Sequence, residues 1–217
     1  MNTKRKTSVF GFDGKEHLLA AWDYDDFDLG EPDMPIHTAL AYKLNNDLHE
    51  GHYLEIGSGH YKHQNNTYFL ETKYNWKGVS IDNSKSLVDE FNENRKNKCL
   101  YGDAITFDFK SYLDKNNFPK KINFLSIDID FQSHKFANLL ALLNLPTTTY
   151  LFNIIIIEHG GGVMYEMEEV KDLQRKILTI LGYELIIRGK TDDVWCLKEN
   201  IRHENGLLQL SGMSWNL

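Results

Sequence analysis

The sequence predicts an α/β fold: a mainly parallel seven-stranded sheet with helices on both faces and an antiparallel edge hairpin. Three observations predict it. Short apolar runs alternate with segments whose apolar residues recur at helical spacing, the pattern that winds a parallel sheet. Asn153-Ile154-Ile155-Ile156-Ile157 is the most apolar run in the chain and suits a central strand covered on both sides. Glycines or acids follow the ends of five separate strands, where open parallel sheets bind their ligands.

The elements follow in order. The first 36 residues mix aromatics with acids, as in Trp22-Asp23-Tyr24-Asp25-Asp26-Phe27, and sustain no period. They read as an irregular N-terminal cap, residues 1–36, on a single domain of residues 37–217. From His37, Leu40, Leu44 and Leu48 mark one apolar helix face. His52–Ile56 is the first strand, ending in Gly57-Ser58-Gly59, and a polar loop, His60 to Asn66, leads to a helix through Thr67–Leu70. Lys77–Asp82 is the second strand; Ser84 is the expected N-cap of a helix that turns Leu87, Val88 and Phe91 inward. Lys98–Tyr101 is the third strand, followed by Gly102-Asp103-Ala104, and Ile122–Ile127 the fourth, ending at Asp128-Ile129-Asp130. Phe136, Leu139, Leu140 and Leu143 mark a helix that stops near Pro146. The isoleucine strand ends at Glu158-His159, before three glycines. Val170, Leu173, Ile177 and Leu181 define a long helix. Tyr183–Ile187 and Val194–Leu197, separated by the turn Gly189–Asp193, make the closing pair of strands.

Composition narrows the function classes. A chain of 217 residues suffices for one domain with a sizeable core. Its 41% hydrophobic content excludes a disordered or fibrous protein, because there is enough apolar surface to offset the ordering entropy. The net charge of −7, with no basic groove of interleaved aromatics, argues against nucleic acid or an anionic membrane as partner. No apolar run reaches the length of a membrane span, and none follows the basic Lys4-Arg5-Lys6 as a secretory signal would require. Cys99 and Cys196 make no disulfide framework, so two buried thiols in a reducing cytoplasm are expected.

The strand ends carry the chemistry. Gly57 and Gly59 let the backbone turn sharply and approach a ligand, although a lone Gly-x-Gly is most often only a turn. A dinucleotide fingerprint needs a further glycine where Lys62 stands, which weakens an NAD-dependent oxidoreductase. Asp82, closing the second strand, can accept hydrogen bonds from both hydroxyls of a ribose, the alternative being a capping acid. Asp103 can accept from an adenine amino group and Ala104 offers a backbone N–H, the alternative being an exposed turn.

These stretches resemble a known group. Tyr53–Gly59, Gly78–Asp82 and Tyr101–Ala104 look like the first three motifs of class I S-adenosylmethionine-dependent methyltransferases. Phe124–Asp130, Ile155–His159, Ile180–Leu185 and Asp193-Val194-Trp195 look more narrowly like the FkbM-type O-methyltransferase branch. The resemblance runs from Tyr53 to Lys198. Two positions depart from it: Tyr61 stands where many class I enzymes have a third glycine, and Asp128-Ile129-Asp130-Phe131 replaces the branch's Asp-x-Glu-Gly.

The resemblance implies a Rossmann-like domain with S-adenosylmethionine as cofactor. Glu55, Gly57 and Gly59 would line its methionine part, Asp82 would hold its ribose, and Asp103 with Ala104 its adenine, with Ser58, Asn83 and Asp128 completing the cofactor-binding set. It also implies a small hydroxylated acceptor, a sugar or glycan. Asp128, Asp130, Glu158 and His159 end adjacent central strands beside the expected methyl position. His159 is the first expectation for a general base, since its ordinary pKa suits neutral pH, then Asp130, with Asp128 beside it. The same four residues could instead hold a divalent cation such as Mg or Mn, with His60 and His63 nearby. The N-terminal segment and the Gly160–Tyr165 loop are expected to border the acceptor. A non-catalytic adenosyl- or nucleotide-binding module is the competing reading: it would keep the glycines and Asp82 functional and leave the later acids structural.

Overall fold

The computed structural model describes residues 34–130, 135–159, 168–189, 191–204, 207–210 and 213–214. Residues 1–33 of the expected cap and the Gly160–Tyr165 loop lie outside the described residues.

Seven strands form one sheet: β1 (His52–Ile56), β2 (Lys77–Asp82), β3 (Lys98–Tyr101), β4 (Lys121–Ile127), β5 (Leu151–Glu158), β6 (Tyr183–Ile187) and β7 (Asp192–Leu197). Their order is β3-β2-β1-β4-β5-β7-β6, with β1 to β5 paired in parallel. β7 inserts antiparallel between β5 and β6, so the closing hairpin places β6 at the edge. The expected architecture is therefore present. The insertion also departs from the 3-2-1-4-5-6 order of dinucleotide-binding sheets, a second strike against the NAD reading.

Among the described residues, six α-helices pack on the sheet: α1 (Ile36–Leu44), α2 (Tyr68–Tyr74), α3 (Lys85–Asn94), α4 (Phe109–Lys115), α5 (Ala137–Asn144) and α6 (Glu168–Ile180). Strand alternation divides the core in two. Ile56, Leu125, Ile127, Ile155, Ile157 and Trp195 pack with Leu142 of α5 and Leu178 of α6. Tyr53, Phe124, Ile154, Ile156 and Val194 pack on the other side with Ile36, Leu40 and Leu44 of α1 and with Trp76. No described helix is long and apolar enough to cross a membrane. Cys99 and Cys196 are buried and free, and burial pushes both thiols up to about 12, which makes them packing groups.

Some elements differ from expectation. α1 stops at Leu44, where Asn46 and Asp47 take positive φ, so Leu48 falls beyond it and is exposed. Ser84 sits at the N-cap of α3 but makes no side-chain capping bond; the Asp82 carboxylate accepts the Ser84 N–H instead. α4, which no periodic run announces, starts at Asp108, whose side chain accepts from the Ser111 N–H. A three-stranded antiparallel sheet, β8 (Ile201–Glu204), β9 (Leu207–Leu210) and β10 (Met213–Ser214), follows the main sheet.

One buried network holds the loop after β1. Arg95, at the end of α3, donates through Nε to Glu71 Oε2 at 2.7 Å and reaches the Tyr61 carbonyl and Asn65 Oδ1. Glu55 of β1 lies beneath, its Oε2 accepting from Ser80 (2.6 Å), Thr67 (2.9 Å) and Asn65 (3.3 Å). Burial pushes the Glu55 carboxyl up to about 7, against the opposing pull of Arg95 and of those donors. Removing one partner of a buried ion pair costs about 3–5 kcal/mol. Glu71→Ala is therefore expected to lower the melting temperature by about 6–20 °C in a thermal scan. Glu55 gives a pH signature. A carboxyl raised in the folded state contributes most below its unfolded value of about 4.3, and that stability drains as pH rises through about 7. Glu55→Gln should thus gain stability relative to wild type between about pH 5 and 8; parallel melting curves for the two would contradict this.

Candidate functional site

The carboxyl ends of β1 to β4 surround a cavity of about 600 Å³. Gly57, Gly59, Asp82, Asn83, Asp103, Ala104, Asp128 and Asp130 all line it, with apolar walls from Ile81, Leu87, Ile129 and Ala137.

Gly57 makes the first bend. Its N–H donates to the Ile81 carbonyl at 2.9 Å, its φ is +79°, and a Cβ there would lie 2.1 Å from the Asp128 carbonyl oxygen. Only glycine passes under β4 in that conformation. Gly59, at φ +55°, would meet nothing within 4 Å, so its open side leaves room at the cavity wall. Asp82 joins the two loops by accepting from the Gly59 N–H at 2.9 Å and the Ser84 N–H at 2.8 Å. Each of its oxygens retains a lone pair for a ligand hydroxyl.

Asparagines that the sequence reading did not single out fix the remaining walls. Asn144 donates to the carbonyls of Ala104 (3.0 Å) and Phe107 (2.8 Å), which shapes the loop after β3, where exposed Asp103 accepts from the Ile105 N–H. Asn138, 1% exposed, accepts from the Ile129 N–H at 2.7 Å and donates back to the Ile129 carbonyl at 3.3 Å. That clamp presents Asp128 and Asp130 on either side of it. Asn66 donates to Ser126 Oγ and to Asp128 Oδ2 at 3.1 and 3.3 Å. A signal for two of them existed: Asn138 and Asn144 interrupt an otherwise apolar helix, and a buried amide there must find a partner.

Other candidates lie elsewhere. Glu55 is in the network under the β1 loop, and Ser58 is buried with its Oγ 3.3 Å from Cys99 Sγ; neither lines the cavity. His159 is 1% exposed and turned to the α6 side, its Nε2 3.4 Å from Asp193 Oδ1. Asp193 also takes two bonds from Arg175, at 2.7 and 3.0 Å. Although burial opposes ionisation, His159 and Arg175 hold Asp193 below the usual carboxylate range. Glu158 belongs to the α1 side, with Ile154 and Ile156. Burial first, then the charges of Asp128 and Asp192, raise it well above that range.

The four residues expected to share a metal are thus divided between the two faces. Among the described residues, no group of three or more His, Cys, Asp or Glu side chains is placed to hold a metal ion. The metal expectation is corrected accordingly: Glu158 and His159 are neighbours in a strand-like segment, and neighbours there point apart. His60 instead stacks on Tyr61 and lies 3.6 Å from Glu90 Oε1, with its Nδ1 accepting from the N–H groups of Lys62 and His63.

No protein-family model matches the sequence, and no curated protein is similar to it. Solved structures are similar in fold. The Dnmt2 methyltransferase of S. pombe is 21% identical with a TM-score of 0.50, over 68% of this chain and 49% of that one. A TehB-like SAM-dependent methyltransferase from Corynebacterium glutamicum is 12% identical with a TM-score of 0.45, over 73% of this chain and 87% of its own. An O-methyltransferase from Bacillus cereus, solved in complex with SAH, is 14% identical with a TM-score of 0.43, over 82% and 83% of the two chains. At such identities the likeness establishes architecture alone: the chain has the Rossmann-like fold of the S-adenosylmethionine-dependent methyltransferases.

Proposed function

We propose that the chain transfers the methyl group of S-adenosylmethionine to a hydroxyl of a small acceptor, a sugar or glycan residue. The observation that carries this reading is the convergence of Gly57, Gly59, Asp82, Ala104 and Asp128, from four strand ends, on one cavity of about 600 Å³. That volume falls among those of cofactor clefts. The glycan part follows the resemblance of Phe124–Asp130 and Ile155–His159 to the FkbM-type branch.

The cavity residues fit the cofactor. Gly59 leaves its side of the wall open, and Asp82 and Asn83 offer acceptors for a ribose. Ala104 and Asp103 frame an adenine edge, and the β1 bend lets a chain carrying a carboxylate and an amine pass close to backbone. When bound, S-adenosylmethionine supplies a methyl group already activated on a sulfonium. The residues then have two tasks. Orientation of the acceptor oxygen accounts for about 7 kcal/mol of barrier at good geometry. Asp130, exposed at the cavity wall and steadied through the Asn138–Ile129 clamp, accepts the hydroxyl proton. His159, 1% exposed and turned to Asp193, does not line the cavity and is not needed for that step.

Titration calorimetry with S-adenosylhomocysteine is the first test. Asp82→Asn removes a charge-assisted acceptor, a loss of about 1.5–3 kcal/mol, and should weaken binding about 10- to 100-fold. Gly57→Ala should abolish binding, because its Cβ cannot coexist with the Asp128 carbonyl. Undiminished affinity in both variants would dismiss the cavity as the cofactor site. Asp130→Asn should lower kcat about 10²-fold or more in methyl transfer from labelled S-adenosylmethionine to a monosaccharide panel, with S-adenosylhomocysteine affinity retained. A variant that turns over like wild type would remove Asp130 from the chemistry.

A further inference from the structure

A second polar group lies on the α1 side of the sheet edge, sharing Asp128 with the cavity. The alternation that places Ile154, Ile156 and Val194 on that side carries Glu158 and Asp192 there as well. The two sit directly opposite each other in the β5–β7 ladder. α1 closes the group with His37, which is 4% exposed; its Nε2 has no hydrogen-bond partner and aims at Asp192 Oδ2 across 3.9 Å. That gap is too long for a hydrogen bond. A nitrogen so deeply buried without a hydrogen bond asks for a ligand atom.

The charge balance says what kind of ligand. Among the described residues, no lysine or arginine ion-pairs with Asp128, Glu158 or Asp192. Arg175 serves Asp193 on the opposite face. Burial and the neighbouring carboxylates raise the proton affinity of Glu158 and Asp192, against the opposing pull of His37 on Asp192, as expected of carboxylates held together with no lysine or arginine beside them. The group does not meet the convergence that a metal ion demands. An ammonium group has no such demand, since its three donors can meet neighbouring carboxylates in several arrangements.

We propose that Asp128, Glu158, Asp192 and His37 form the recognition subsite of the methyl acceptor and bind a protonated amine, so that the acceptor is an amino sugar or a related amino alcohol. The amine seats against Asp128 and Glu158, which remain partly exposed. Asp192 reinforces the negative field from behind, and His37 Nε2 receives a neighbouring ligand hydroxyl. This inference rests on the methyl-transfer reading of the adjoining cavity.

The test uses the full chain saturated with S-adenosylhomocysteine and two matched pairs, glucosamine against glucose and ethanolamine against ethylene glycol. Imidazole resonances of His37 report binding. The amine of each pair should shift them and bind at least tenfold more tightly than its neutral partner. Asp192→Asn should erase that preference while S-adenosylhomocysteine affinity stays within about twofold; Glu158→Gln, checked for folding by circular dichroism, gives the same reading if Asp192→Asn does not fold. Equal binding within both pairs, silence of His37 toward both amines, or a response to Mg²⁺ alone would overturn the proposal. Failure of wild type to bind S-adenosylhomocysteine is a separate result, which would overturn the methyl-transfer reading and this inference with it.

Discussion

Everything at the upper edge of the sheet depends on how the chain leaves β1. This strand is central, hydrogen-bonded to β2 on one side and β4 on the other, so its exit must cross ground that both neighbours occupy. Gly57 solves this with a left-handed turn pressed against the Asp128 backbone, and its N–H stays paired with Ile81. Three strands are thereby locked at one point. The Arg95–Glu71 pair and the Glu55 network then act at one remove, keeping residues 58–67 where that turn delivers them. The polar groups of this support are buried and mutually satisfied, the condition under which a buried network rigidifies a loop instead of weakening it.

The second organising constraint is the two-residue period of the strands. It sorts the polar residues at the ends of β4, β5 and β7 into two sets that do not mix. Ser126, Asp128, Glu158 and Asp192 go to the α1 side; His159 and Asp193 go to the α6 side, where Arg175 neutralises the carboxylate. One set is charge-balanced and closed, the other is rich in carboxylates and meets the cavity at Asp128. The same contrast separates residues that hold the fold together from those free to meet a ligand.

Much of this was legible in the chain itself. All seven strands of the main sheet are short apolar runs bounded by turns, and acids and glycines at the ends of β1 to β4 line the cavity. What escaped did so for physical reasons. α4 spans seven residues and buries only Phe109 and Leu113, too few to establish a period. β8 and β9 flank Asn205-Gly206, a hairpin signal, but each is only four residues long. The clamping asparagines act on partners far along the chain, as Asn144 does on Ala104. Sequence adjacency made Glu158 and His159 look like partners, and only the direction of each side chain separates them.

The short helix α5 has a consequence for how the cavity can vary. Asn138 near its start grips the wall after β4, and Asn144 at its end grips the wall after β3. A single rigid rod of eight residues, about 12 Å long, therefore sets the spacing between opposite banks of the cleft. Drift in its outer surface, where Leu143 faces solvent, leaves that gauge untouched. Exchange of either amide for a carboxylate would not, because the grip on a carbonyl needs a hydrogen to give. Lengthening the rod by one residue would swing its two ends about 100° out of phase, so evolution of a wider cleft must replace the helix as a unit.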